Sequence, residues 1–115
     1  MEEKIEMNTI TDIINELRAK KYTRDFIIEN DLLKCKETDE SFAPNELIIE
    51  EIHRFEGDSN PDDMSIIYAI NTISGTRGLI IDAYGTYSNP QISAFIKDVP
   101  VREEADFKIL LMLLL

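Results

Sequence analysis

Two β-rich runs, residues 64–73 (MSIIYAINTI) and 78–84 (GLIIDAY), stand only four residues apart. A connection that short cannot carry a crossover, so the two runs must be antiparallel neighbours in a sheet. If residues 74–77 form the loop, Ile73 pairs with Gly78 and Ile70 with Ile81. Ile66, Tyr68 and Ile70 then share one face with Leu79, Ile81 and Ala83. Ile67 and Ala69 share the other with Ile80, Asp82 and Tyr84. The first face is apolar and the second mixed, the pattern of an antiparallel sheet covered by a helix on one side.

That helix is legible near the start of the chain. Thr9 and Asp12 have the spacing of an N-terminal cap, in which side-chain oxygens take up orphan backbone N–H groups. Ile10, Ile13, Ile14 and Leu17 then recur as one buried helical face. Lys20 and Lys21 follow where the negative end of the helix dipole favours cations. Residues 1–8 read as a frayed lead-in. Residues 24–37 hold two short apolar runs around Asn30-Asp31, a pair that tolerates left-handed backbone and predicts a hairpin. Phe26, Ile28, Leu33 and Cys35 can face the helix. A polar loop with one helical turn from Pro44 leads into residues 47–57, which read as a strand. There Ile49, Ile52 and Phe55 recur every third residue, so a helix or a bulged strand also fits. Ile92, Phe95 and Ile96 mark a short closing helix within residues 90–98.

The expected architecture is therefore a single α+β domain over residues 1–115: an N-terminal helix on an antiparallel sheet of about five strands, with a short C-terminal helical segment. The length suits one domain. The ending KILLMLLL makes residues 106–115 an atypical apolar tail. It could pack on the sheet, mediate self-association, or stem from a shifted reading frame.

Composition narrows the partners. The chain has 23 acidic and 12 basic side chains and a net charge of −11. Phosphate backbones and anionic bilayers repel such a surface, so neither nucleic acid nor membrane is an expected partner. A protein partner or self-association is. One cysteine, Cys35, allows no internal disulfide and suits a reducing compartment. The N-terminus lacks the apolar stretch of a signal peptide, and no apolar run approaches the ~20 residues of a membrane span. The expected location is cytoplasmic.

Residues 78–88, GLIIDAYGTYS, invite comparison with the sugar-phosphate loop of phosphoribosyl enzymes, where two acids bind ribose hydroxyls and small residues let backbone N–H groups close on phosphate. Here only Asp82 stands for the acids, and Tyr84 occupies a position that wants a small residue. A strand ending at Gly85, with Asp82 and Tyr84 on its partly wet face, is the simpler reading. RFEGDSNPDDMSIIYAI (residues 54–70), together with AKKYTRDF (residues 19–26) and residues 78–88, resembles a family of small Bacteroidetes proteins often labelled phosphoribosylpyrophosphate synthetase. The resemblance spans most of residues 9–88 and stops before about residue 105. It implies a ribose-phosphate diphosphokinase label. It transfers no catalytic residue, because the paired pyrophosphate- and nucleotide-binding segments of true synthetases are absent from this sequence.

Other constellations are weaker still. Asp58, Asn60 and Asp62 have the opening spacing of an EF-hand, but Asp63 stands where glycine is needed and Ala69 where glutamate is needed. A weak Mg²⁺ or Ca²⁺ contact is the most this loop offers; no cofactor and no fixed metal site is expected. His53 is the only histidine, and a Cys35–His53 nucleophile pair would need the fold to bring the two together. Arg54 and Glu56 could pair on a strand face. Two functional expectations follow. The first is a non-catalytic interaction or regulatory module. The second is a domain binding a phosphorylated sugar, a nucleotide or a divalent metal through Asp58, Asn60, Asp62, Asp63, Asp82, Tyr84 and Thr86.

Overall fold

The computed structural model describes residues 3–6 as backbone and residues 9–55, 64–83 and 88–102 with their side chains. In chain order the elements are β1 (Glu3–Glu6), α1 (Ile10–Ala19), β2 (Arg24–Glu29), β3 (Leu32–Cys35), β4 (Glu40–Phe42), a 3-10 turn (Pro44–Glu46), β5 (Leu47–Phe55), β6 (Ser65–Thr72), β7 (Arg77–Ala83) and α2 (Pro90–Ile96). The strands form one sheet in the order β1-β5-β6-β7-β2-β3-β4. Six of them are described with side chains and β1 as backbone alone.

The class is α+β, with a helix at each end of the chain's described part, as expected. The sheet is larger than five strands, and it is mixed. β1 runs parallel to β5 and β2 parallel to β7, while the remaining pairs are antiparallel. The parallel pairs have one origin. Parallel strands need a crossover between them, and α1 is that crossover. It joins β1 to β2 across the whole β5–β6–β7 meander, so each of its two strands lands on an outer edge of that meander. Residues 3–6, expected as part of a frayed lead-in, thus form an edge strand.

The β6–β7 register corrects the sequence reading. Thr72 N–H donates to the Thr76 carbonyl at 3.0 Å, and Gly75 N–H donates to the Thr72 carbonyl at 2.9 Å. Gly75 sits at φ +87°, the left-handed region that glycine enters without steric cost. The loop is a tight turn followed by a left-handed glycine, a standard three-residue hairpin connection. Asn71 therefore pairs with Arg77, and Ile70 faces Gly78 rather than Ile81. A register change of an odd number of residues moves every side chain to the other face. Ile67 and Ala69 accordingly share a face with Leu79 and Ile81, and Ile66, Tyr68 and Ile70 share the opposite face with Ile80 and Asp82.

Both faces carry a buried core, although Ile81 on the first is 43% exposed. α1 covers the first with Ile13 and Leu17, which pack with Tyr22, Ile67, Ala69 and Leu79. α2 covers the second, where Phe95 and Val99 join a larger apolar core that includes Leu47, Ile49, Ile70 and Ile80. Phe26, Ile28, Leu33 and Cys35, expected against α1, lie in this second core. With both faces buried, alternation of apolar and polar residues could not have identified the inward one.

Local signals were more reliable. Thr9 caps α1, its hydroxyl accepting from Asp12 N–H at 3.2 Å. At the other end Lys21 N–H donates to the Arg18 carbonyl and Tyr22 N–H to the Leu17 carbonyl. This pair of bonds defines a Schellman cap, with Tyr22 and Leu17 making its apolar contact. Asn30 (φ +54°) and Asp31 (φ +62°) make the primed turn between β2 and β3. Asn89 caps α2 through Gln91 N–H at 2.8 Å, with Pro90 in the first turn. β5 is a bulged strand, its register breaking between Ile49 and Glu51. Beside the bulge, Ile49 exchanges hydrogen bonds with Pro100 and Arg102, so residues 100–102 continue the edge that β1 occupies along Ile52–Phe55. No helix among the described residues is long and apolar enough to cross a membrane. The 106–115 tail lies outside the described residues.

Candidate functional site

Of the seven residues singled out from sequence, Asp58, Asn60, Asp62, Asp63, Tyr84 and Thr86 lie outside the described residues. Their anchors are described. Phe55 pairs with Ser65, and Ser65 with Ala83, so the β5–β6 and β7–α2 connections leave the sheet at the same end. Asp82 is only 8% exposed and lies on the α2 side rather than on a partly wet face. One of its oxygens, Oδ1, accepts from the N–H groups of Ala83 (2.8 Å) and Asn89 (3.0 Å). That carboxylate ties the end of β7 to the start of α2, which is a structural task.

The Cys35–His53 pair is excluded by geometry. Cys35 is fully buried in the α2-side core, where its thiol donates to Glu37 at 3.4 Å. His53 stands opposite Ile67 on the α1 side. The sheet lies between them. Glu56, the expected partner of Arg54, is outside the described residues. Among the described residues no group of three His, Cys, Asp or Glu side chains could hold a metal ion.

What sequence reasoning missed is a polar cluster built on the β5 bulge. A bulge sets two residues of one strand against one of its neighbour, and here it turns both Glu50 and Glu51 toward the α1 side. Glu50 Oε1 accepts from the Tyr22 hydroxyl at 2.7 Å and from Arg77 at 3.1 Å; its Oε2 accepts from Arg102 at 3.1 Å. The Arg77 guanidinium also stacks 4.2 Å above the centre of the Tyr22 ring. Glu51, 5% exposed, takes Lys20 Nζ at 3.3 Å and lies 2.9 Å from Nε2 of the buried His53. The two acids thus bind together the end of α1, the bulge, the start of β7 and the C-terminal strap. The only signal available in the sequence was the pair of adjacent acids inside a strand of irregular period.

The electrostatics follow from these contacts. Burial raises the Glu50 carboxyl, but the Tyr22 hydroxyl and the flanking guanidiniums more than offset it, and it titrates below the ordinary carboxylate range. Burial likewise raises Glu51, and the His53 and Lys20 contacts overcome it, so Glu51 is also lowered. Tyr22 moves the other way, up to about 12, through burial and then its hydrogen bond to Glu50. Both acids are held charged and the phenol neutral at neutral pH. A carboxylate in this state is a poor general base, because its lone pairs are already occupied. No protein-family model, curated protein or solved structure matches this chain.

Proposed function

We propose that this chain is a small non-catalytic interaction module. The observation that supports this reading most is the commitment of the buried reactive groups. Glu50, Glu51 and Asp82 each hold structural partners, and Cys35 and His53 are kept on opposite faces. A domain built this way offers surface and strand edges to a partner. β4 and β1 are the outer strands of the sheet, and outer strands present unpaired backbone groups. The test is affinity capture of the tagged full chain from its native cells after cross-linking. A stoichiometric protein partner supports the proposal; repeated recovery of the monomer alone overturns it.

A second reading is favoured by the shared sheet end of the acidic β5–β6 connection and the β7–α2 connection. Carboxylates of Asp58, Asp62 and Asp63, with Asn60, could hold a divalent ion that in turn receives a phosphorylated sugar or nucleotide, with Tyr84 and Thr86 as hydroxyl donors to it. The resemblance to proteins labelled phosphoribosylpyrophosphate synthetase points the same way. A thermal-shift titration with Mg²⁺, Ca²⁺, ribose 5-phosphate and ATP, with Asp63→Asn beside the unaltered chain, tests binding. A direct assay of ATP with ribose 5-phosphate tests the activity.

A further inference from the structure

The opposite end of the sheet holds a cleft of about 360 Å³ between the start of β2 and the β6–β7 turn. Lys21, Thr23, Arg24, Ser74, Thr76 and Arg77 line it. Three cations and no acid are among the lining residues, in a chain of net charge −11. Arg77 is already compensated by Glu50. Lys21 and Arg24 have no ion-pair or hydrogen-bond partner for their charged groups among the described residues. Arg24 lies near enough to Glu37 and Glu40 to contribute to lowering both, yet pairs with neither. Glu40 instead accepts from the Thr38 and Thr76 hydroxyls at 2.8 and 2.9 Å, and Thr76 continues to Ser74 at 3.1 Å. Glu40 is thus hydrogen-bonded to hydroxyls rather than to either of the two cations.

Lys21 carries a second anomaly. It occupies the left-handed position of the Schellman cap at φ +80°, where glycine is the usual residue. A side chain there costs stability relative to glycine. The cost places a lysine in the lining of the cleft.

We propose that this cleft binds the phosphate group of a small soluble phosphate ester. A phosphate presents three terminal oxygens, and three residues with donor-bearing side chains line the cleft close together in sequence: Lys21, Thr23 and Arg24, the last with a planar fork that suits two of those oxygens. The site is separate from the β5–β6 and β7–α2 connections at the other sheet end and does not depend on a protein partner.

The test is an amide NMR titration of the full chain with inorganic phosphate, run against chloride at matched ionic strength. Saturable shifts centred on residues 21–24 and 74–77 are expected. Arg24→Gln should weaken binding roughly tenfold or more, the loss expected for a charge-assisted hydrogen bond. Lys21→Gly separates binding from folding: it should raise the melting temperature by roughly 4 °C through relief of the left-handed backbone and still weaken phosphate binding. Shifts reproduced by chloride, shifts centred elsewhere, or unchanged affinity in both variants would overturn the proposal.

Discussion

The two faces of the sheet are held down by different chemistry. The α2 side is a continuous apolar core, with Leu33, Cys35, Ile49, Ile70 and Ile80 at 0–1% exposure. The α1 side has a smaller apolar cluster and beside it the Glu50–Glu51 network. Apolar burial is non-directional and tolerates many arrangements. Charged hydrogen bonds tolerate few, and one partner lost leaves the others desolvated. The α2 side therefore supplies most of the stability, and the α1 side fixes which residues of β5, β7 and the C-terminal strap meet.

The largest effect should come from the apolar side. Leu33→Ala should cost about 3 kcal/mol, the usual loss for a buried leucine with a residual cavity, measured by urea denaturation. On the polar side Glu50→Ala strands the Tyr22 hydroxyl and two half-exposed guanidiniums, and about 2 kcal/mol is expected. A loss on the polar side equal to or above that of Leu33→Ala would reverse the ranking of the faces.

Titration separates the faces without mutating the apolar one. Glu50 and Glu51 have folded pKa values below their unfolded value near 4.3. Their contribution is whole above that value and is lost as the pH falls through the folded pKa. Acid should loosen α1 before α2, seen as earlier hydrogen exchange along residues 10–19, and Glu50→Gln should blunt the effect. Tyr22 is the mirror case. Its folded pKa is raised to about 12, so its contribution is whole below the unfolded value near 10 and is lost as the pH climbs from there toward 12. Tyr22→Phe should cost about 1 kcal/mol at neutral pH and flatten the alkaline loss of stability. An effect of the same size is expected at the loop that sets the register of both faces: Gly75→Ala, at φ +87°, should cost about 1 kcal/mol and leave the pairing of Asn71 with Arg77 intact by cross-strand NMR contacts.

The features that were legible from sequence are those whose cause is local. Thr9 with Asp12, Asn30 with Asp31, and Pro44 each act within a few residues, and each stands where it was expected. The β6–β7 register was missed because one left-handed glycine shortens the loop, and because Ile66, Ile67, Ala69 and Ile70 suit either face once both are buried. The parallel strands were missed because β1 and β2 find their partners only through the distant β5 and β7. The Glu50–Glu51 network needed the bulge, which sequence left open beside a helix. Asp82 was singled out as a ligand-binding candidate on a partly wet strand face; it is buried instead, and its oxygen serves two backbone N–H groups.

The close approach of β2 to β7 has a consequence in time. Arg24 pairs with Gly78, where an added Cβ would run into the Arg24 carbonyl, and Glu3 pairs with Ile52. As the chain leaves the ribosome, β1, α1 and the β2–β3–β4 meander all emerge before any strand they must flank. Closing those long loops costs entropy before any contact repays it. The central β5–β6–β7 meander is made last and has only short closures, so it should nucleate folding. The earlier half then waits as an unpaired set of edges, and translation pauses before residue 83 would prolong the interval in which those edges can find the wrong neighbour.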